Sequence, residues 1–126
     1  MGEFYNLKVW QDSKTVVVRI YQLTREFPKQ ETYGLTDQLR RSANSICANI
    51  AEGYGRHHPK EKIKFYYNAR GSLYECRSHI LIARELKYLT SEASAELFSA
   101  FDSIGRMLNA MITSLSRYYA SLKNKS

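Results

Sequence analysis

The clearest structural signal in the chain lies in residues 97–122, which read LFSAFDSIGRMLNAMITSLSRYYASL. Large apolar side chains recur along this segment in alternating steps of four and three residues, at Leu97, Phe101, Ile104, Leu108, Met111, Leu115, Tyr118 and Leu122. Side chains with this spacing lie on one face of an α-helix, and the alternation is typical of helices that pack along a shared seam. The segment therefore predicts a long helix, about residues 91–122, with one apolar face along its whole length.

Three further segments of helical period and length precede this one, separated by turn-forming residues. Pro28 cannot continue a helix, and Pro59 suits the first turn of one. Thr36 and Thr90 can each cap the N-terminus of the helix that follows. The predicted helices cover about residues 7–27, 36–54, 59–88 and 91–122. Four such helices with short connections predict an all-α protein, an antiparallel up-down-up-down four-helix bundle in which residues 1–126 form a single domain.

Each of the first three helices also has an expected apolar face. In the first helix this face comprises Trp10, Val17, Ile20, Tyr21, Thr24 and Phe27. In the second it comprises Leu39, Ala43, Ile46 and Ile50, and in the third Phe65, Tyr66, Ala69, Leu73, Cys76, Ile80 and Ala83. These faces are expected to form the core together with the seam of the fourth helix.

Composition and charge restrict the classes of function. The 126 residues are 44% hydrophobic and 25% charged, which is ordinary for a folded domain. No apolar run approaches the 18 residues of a membrane span and no secretory signal pattern opens the sequence, so a cytoplasmic location without a membrane partner is expected. Lys and Arg number 19 against 12 Asp and Glu, a net charge of +7. This excess favours a polyanionic partner such as nucleic acid, although basic proteins without one are common.

The residues that could carry enzyme chemistry or bind a metal do not form a recognisable site. The sequence lacks a phosphate-binding loop, a dinucleotide fingerprint and a nucleophile elbow. A di-iron bundle needs two Glu-x-x-His pairs, whereas Glu75 and His79 are four residues apart. Cys76 and His79 could begin a zinc site, but a structural zinc ion takes four ligands. We therefore expect a non-enzyme without metal or cofactor, in which Cys47 and Cys76 are small buried side chains rather than a disulfide.

Two rows of polar residues would not be needed in a simple bundle. In the second helix the row comprises Arg41, Ser45, Asn49, Glu52 and Arg56, which share one arc of the helix. It is either a hydrogen-bonded network around Glu52 or a plain solvated face. In the third helix Ser72 and Glu75 follow Gly71, whose mid-helix position costs about 1 kcal/mol relative to Ala. A close contact of Gly71 with a neighbouring backbone would explain it, and the two rows together suggest a helix–helix or subunit contact.

The third helix also carries much of the positive charge. Arg70, Arg77 and Arg84 are seven residues apart and line one side of the helix, with Tyr67 and Tyr74 close to them. Arginine binds phosphate, and tyrosine can stack on unpaired bases. The candidate nucleic-acid-binding residues are Lys62, Tyr67, Arg70, Tyr74, Arg77, Arg84 and Lys87. The alternative is a face whose Tyr and Arg side chains cover apolar surface or pack against another subunit.

The segment YGLTDQLRRSANSICANIAEGYGR, residues 33–56, resembles the signature of the bacterial 23S ribosomal RNA intervening-sequence proteins, and residues 7–11 and 71–75 match as well. The resemblance implies a four-helix bundle that assembles into a homopentamer. The family is also similar to the accessory variability proteins of diversity-generating retroelements, which bind nucleic acid and a reverse transcriptase. By position, the residues that belong to the family motif are Asn49, Glu52, Gly53, Arg56, Gly71, Ser72 and Glu75, and we take them as structural or interface residues.

Together these observations predict a non-catalytic, basic, oligomeric bundle that binds RNA or DNA with salt-dependent and largely sequence-independent affinity. The alternative is an assembly or scaffold protein whose basic row docks a protein partner such as a reverse transcriptase.

Overall fold

The computed structural model describes residues 2–125. It contains four α-helices, α1 (Lys8–Thr24), α2 (Leu35–Gly55), α3 (Pro59–Glu85) and α4 (Ser91–Asn124), and two short 3-10 turns, Phe4–Asn6 and Lys29–Glu31. No strand occurs among these residues. The predicted all-α four-helix bundle is thus confirmed.

Consecutive helices run antiparallel, as their contacts show. Between α3 and α4, Arg70 contacts Asn109 whereas Arg77, about two turns later, contacts the earlier Asp102. The same reversed order joins α1 to α2, through the pairs Tyr21–Asn44 and Thr24–Arg40, and α2 to α3, through Ser45–Ser72 and Gly53–Tyr66. Short connections between neighbouring helices produce this up-down-up-down arrangement.

The core draws side chains from all four helices. The predicted face of α2 is fully buried, and so is that of α3 except Phe65, which is partly exposed. Because each large aliphatic or aromatic side chain gains about 1.5–3 kcal/mol on full burial, these faces dominate the stability of the bundle. Both predicted faces followed from helical periodicity alone.

The face of α1 differs from the prediction. The buried residues are Val9, Ser13, Val16, Ile20 and Thr24, whereas Trp10, Val17 and Tyr21 are only partly buried. The hydroxyls of Ser13 and Thr24 donate to the backbone carbonyls of Val9 and Ile20, each at 2.7 Å. A hydroxyl that is hydrogen-bonded to its own helix can be buried in an apolar core. A prediction based only on residue polarity misses such positions. The helix also ends at Thr24 rather than Phe27, although Phe27 remains buried.

The two predicted N-terminal caps have different outcomes. Thr90 caps α4, because its Oγ1 accepts the Ala93 backbone N–H at 3.0 Å. Thr36 does not cap α2, which begins at Leu35 and buries Thr36 within its first turn. The Leu35 N–H, which has no partner within the helix, instead donates to the carboxylate of Glu31 at 3.1 Å. A side chain from the preceding turn thus replaces the predicted cap.

Helix α3 ends at Glu85, three residues earlier than predicted. Lys87 adopts a left-handed conformation with φ of 66°. The Lys87 N–H donates to the Arg84 carbonyl and the Tyr88 N–H to the Ala83 carbonyl, each at 2.9 Å. These two bonds form a Schellman motif, which stops a helix and is usually built on glycine. Lysine at this position carries no sequence signal for a helix end, so the end was predicted too late.

The predicted seam of α4 is buried only along its first two-thirds. Burial is complete from Leu97 to Leu108 and extends to Ile112, but Tyr118 is 55% and Leu122 43% exposed. With 34 residues α4 is roughly 51 Å long, whereas the 17 residues of α1 span roughly 26 Å. The end of α4 therefore extends beyond α1. None of the helices in residues 2–125 is long and apolar enough to cross a membrane.

Candidate nucleic-acid interface

The polar rows of α2 and α3 meet at their centres. Ser72 Oγ donates to Ser45 Oγ at 2.8 Å, and the Asn49 side-chain amide donates to the same Ser45 oxygen at 3.1 Å. All three side chains are partly buried between the helices. The predicted contact between polar rows therefore exists, as a small hydrogen-bonded cluster of Ser45, Asn49 and Ser72.

The rest of these rows is solvated surface. Arg41 pairs with Asp37 and Arg56 with Glu52, each four residues apart along α2 and exposed. Glu75 is exposed and lies 3.3 Å from the His79 ring. Exposed pairs of this kind contribute little stability. Of the two alternatives for the α2 row, the network around Glu52 is limited to its pair with Arg56, and the solvated face describes Arg41, Glu52 and Arg56.

The two glycines of the family motif have opposite surroundings. A Cβ on Gly53 would lie 2.6 Å from Tyr66 Cε1, so Gly53 lets the Tyr66 ring pack against the α2 backbone. A Cβ on Gly71 would meet nothing within 4 Å. The expectation that Gly71 makes a close backbone contact is wrong within the chain, because Gly71 lies on the outward face of α3.

Arg70 keeps its charge available. Its guanidinium lies 4.7 Å from the centroid of the Tyr67 ring, and one amino group donates to the Asn109 side-chain oxygen at 2.9 Å. Asn109 is neutral and neutralises none of the charge. The stacking and the hydrogen bond hold the planar guanidinium in one orientation, which favours recognition of a phosphate.

Arg77 does not belong with the accessible cations. Its guanidinium forms an ion pair with Asp102, its side chain is only 26% exposed, and it packs over the rings of Phe98 and Phe101. A buried guanidinium needs such a partner because desolvation of an unpaired charge is costly. Arg77 lies on the row of α3 that the sequence predicts, but its charge is balanced by Asp102 of α4.

Lys62 has a structural role as well. Its ammonium group donates to the backbone carbonyls of Gly53 and Tyr54, at 3.3 and 2.8 Å, and thereby caps the C-terminus of α2. Burial lowers the pKa of Lys62 below its ordinary value. Arg84, Lys87 and Tyr74, in contrast, are exposed. Neither Arg84 nor Lys87 has an acidic partner among residues 2–125.

The sequence prediction missed the contribution of α4. A cleft of about 190 Å³ lies between α3 and α4, and its walls include Arg70, Tyr74, Arg77, Asp102, Gly105, Arg106 and Asn109. Arg106 is exposed, and its side chain has no hydrogen bond or ion pair within residues 2–125. The sequence of α4 shows a strong apolar seam but no pattern that marks Arg106 on its flank. Arg106 lies in the same cleft as Tyr74 only through the register between α3 and α4, which the sequence does not give.

The cysteines are not poised for chemistry. Both are free thiols, Cys76 fully buried and Cys47 partly buried. Burial raises the pKa of each thiol to about 11, so both are protonated near neutral pH and are weak nucleophiles. Within the described part of the chain, no group of three or more His, Cys, Asp or Glu side chains could hold a metal ion.

Comparison with known proteins relates the chain to one family. A family model described as 23S rRNA-intervening sequence protein matches residues 5–110. No curated protein matches the chain. Among solved structures, a protein of unknown function from Bacteroides thetaiotaomicron, of the S23 ribosomal protein family, superimposes with a TM-score of 0.76 and 24% sequence identity, over 82% of this chain and 97% of the other. At this identity the likeness shows the fold alone.

Proposed function

The chain belongs to the family of 23S rRNA-intervening sequence proteins, and from this premise we propose that it is a non-catalytic, oligomeric protein that binds RNA or DNA through the outer face of α3 and the adjoining flank of α4. The observation that carries the proposal is the unbalanced charge of this surface. Arg70, Arg84, Lys87 and Arg106 have no acidic partner among residues 2–125, and Tyr67 and Tyr74 are exposed between them.

This surface has the chemistry that single-stranded or looped nucleic acid requires. Guanidinium and ammonium groups bind phosphates, and exposed tyrosine rings offer a stacking platform worth about 1–3 kcal/mol per base. Phosphate contacts and stacking on tyrosine depend little on the identity of the base, so binding should be largely independent of sequence. Because binding releases counterions from the phosphates, affinity should fall steeply with salt.

The test compares two triple variants of equal net charge by fluorescence anisotropy with a labelled 20-nucleotide RNA. One variant replaces Arg70, Arg84 and Lys87 with Gln, and the control replaces Arg25, Lys29 and Arg117 with Gln, which are exposed on other parts of the bundle. We expect the first variant to lose about tenfold or more in affinity at low salt and the control less than threefold, given the size of phosphate contributions. Equal losses of affinity in the two variants would show that binding depends on net charge alone and would contradict the proposed surface. A wild type that does not bind RNA would contradict the proposal as a whole.

A second function, from another class, is favoured by the apolar part of the same helix. Ile82 and Leu86 are 48% and 50% exposed at the C-terminal end of α3, and Gly71, on the same side of the helix as Ile82, faces open space. Nucleic acid does not require such side chains, whereas a protein interface is built on them. This part of α3 is the proposed contact between copies of the chain, and in the alternative function it docks a protein partner such as a reverse transcriptase. If the immobilised protein retains a purified reverse transcriptase but does not bind RNA, the alternative function is favoured.

A further inference from the structure

We propose that the cleft between α3 and α4 is a phosphate subsite that holds one backbone phosphodiester of the bound nucleic acid. This inference rests on the proposed function and names the place on the surface where one phosphate is recognised. The cleft has about 190 Å³ of space, equivalent to roughly six water molecules at about 30 Å³ each. A tetrahedral oxyanion with residual water fits within that volume.

The lining of the cleft favours an anion. Three guanidinium groups, those of Arg70, Arg77 and Arg106, share it with one carboxylate, that of Asp102. Three positive charges and one negative charge leave a net charge of +2. Because Asp102 is engaged by Arg77, the charges of Arg70 and Arg106 are available to a ligand on opposite walls of the cleft, one from α3 and one from α4. Two guanidinium groups facing one site bind a phosphate oxyanion better than either alone.

The guanidinium groups are held in place before any ligand binds. Arg70 is fixed by the Tyr67 ring and by Asn109, and Arg77 by Asp102. Groups that are already ordered lose less conformational entropy when they bind, so such a site gains affinity from its rigidity.

Arg77 also has an unmet donor. Its Nε is buried and has no hydrogen-bond acceptor among residues 2–125. Buried donors in proteins are nearly always paired, and an exception calls for an explanation. Because this atom has almost no solvent exposure, a bound oxyanion accepts from it only when the Arg77 side chain shifts towards the cleft.

Gly105 keeps the cleft open. It lies in the middle of α4, and a Cβ built there would meet nothing within 4 Å, so no packing contact requires glycine. Glycine is unfavourable inside a helix, and its position in the wall of the cleft is explained by the space that a larger side chain would occupy. Tyr74, 63% exposed in the same lining, can stack on a base next to the bound phosphate.

The test uses two variants of the full chain, each with a matched control on α4. Arg106→Gln removes one charge from the cleft, and Arg117→Gln removes one charge outside it. Gly105→Leu fills the cleft without changing charge, and Ala110→Leu adds the same bulk at an exposed position outside it. Binding of a 20-nucleotide single-stranded RNA is measured by anisotropy at several salt concentrations, and circular dichroism checks that each variant is folded.

We expect Arg106→Gln and Gly105→Leu to weaken binding about tenfold and the two controls less than threefold. The negative slope of log affinity against log salt should become less steep by about 0.7 for Arg106→Gln, the contribution of one phosphate on a single strand. If the cleft variants behave like their controls while the wild type binds RNA, the subsite is wrong and the proposed function stands. If the wild type does not bind RNA, both fail.

A second measurement separates the two sources of a phosphate group. The side-chain N–H signals of Arg70, Arg77 and Arg106 are followed by ¹⁵N NMR during titration with dimethyl phosphate, a phosphodiester, and with inorganic phosphate. Shifts of these signals with RNA and with dimethyl phosphate, absent in Gly105→Leu, support the subsite. Shifts with inorganic phosphate only would overturn it as a nucleic-acid site and assign the cleft to a free anion.

Discussion

At the scale of single residues, Gly53 and Gly71 show that two glycines inside helices can have different surroundings. Both lie inside helices, where glycine is less favourable than alanine by about 1 kcal/mol. Gly53 is buried against the Tyr66 ring, and Gly71 is exposed on α3. Sequence reasoning anticipated a close contact for Gly71, because a mid-helix glycine gives no indication of which neighbour, if any, approaches it.

Substitution by alanine should therefore change stability in opposite directions. Gly53→Ala puts a Cβ 2.6 Å from Tyr66 Cε1 and 3.1 Å from Phe65 Cβ, and this overpacking should lower the free energy of unfolding by about 1–2 kcal/mol after the gain in helix propensity. Gly71→Ala should raise it by up to about 1 kcal/mol. Urea denaturation monitored by circular dichroism measures both. A Gly53→Ala variant as stable as wild type would contradict the packing described for Tyr66.

A second residue-scale prediction concerns alkaline pH. Burial, and to a smaller extent the neighbouring Tyr54, raises the pKa of Tyr66 from 10.0 to about 12. Between these values the folded chain keeps the phenol proton that the unfolded chain loses, so the free energy of unfolding falls as pH rises, by at most about 1.4 kcal/mol per pH unit for this group. Tyr66→Phe should flatten the decline between pH 10 and 12, as measured by urea denaturation at each pH. The exposed Tyr33→Phe is the control and should keep the wild-type slope.

At the scale of helices, the features that could be predicted from the sequence are those set by the local spacing of residues. The apolar faces of α2 and α3 follow from a repeat of 3.6 residues, which the sequence displays directly. The end of α3 depends on Lys87 adopting a left-handed conformation, and the core position of Ser13 depends on a hydrogen bond to its own helix. Lysine rarely takes the left-handed position that ends a helix, and serine usually indicates an exposed position. The neutralisation of Arg77 could not be predicted, since it requires the register between α3 and α4.

Helix α4 provides a matched comparison along one seam. Leu108 and Leu122 occupy equivalent positions in the repeat, but Leu108 is fully buried and Leu122 is 43% exposed beyond the end of α1. Leu108→Ala should cost about 2–5 kcal/mol, the range for a leucine removed from a packed core. Leu122→Ala should cost less than about 0.5 kcal/mol, as for other surface substitutions. Thermal denaturation of the two variants measures the difference. Equal losses would show that the end of α4 is covered in solution.

At the scale of the whole molecule, the two proposed activities respond to salt in opposite directions. Each chain carries a net charge of +7, so bringing copies together opposes their mutual repulsion. Salt screens this repulsion and does not weaken the apolar contact of Ile82 and Leu86 between copies, so assembly should strengthen as salt rises. Nucleic-acid binding should weaken over the same range, because its driving force is counterion release. Bound nucleic acid would itself neutralise the surface and promote assembly at low salt.

The assembly prediction is tested by light scattering at 20 and 300 mM salt. We expect the wild type to form a species whose mass is a multiple of 14.6 kDa, five chains if the family resemblance holds, with the larger share assembled at 300 mM. Ile82→Glu should give the 14.6 kDa monomer, because a charge on this face would be desolvated at the contact. Val18→Glu is the control, since Val18 is also about half exposed but lies on α1. A wild type that stays monomeric at both salt concentrations, or equal disruption by the two variants, would contradict α3 as the contact between copies. The exposed apolar residues of α3 would then be assigned to a different protein partner.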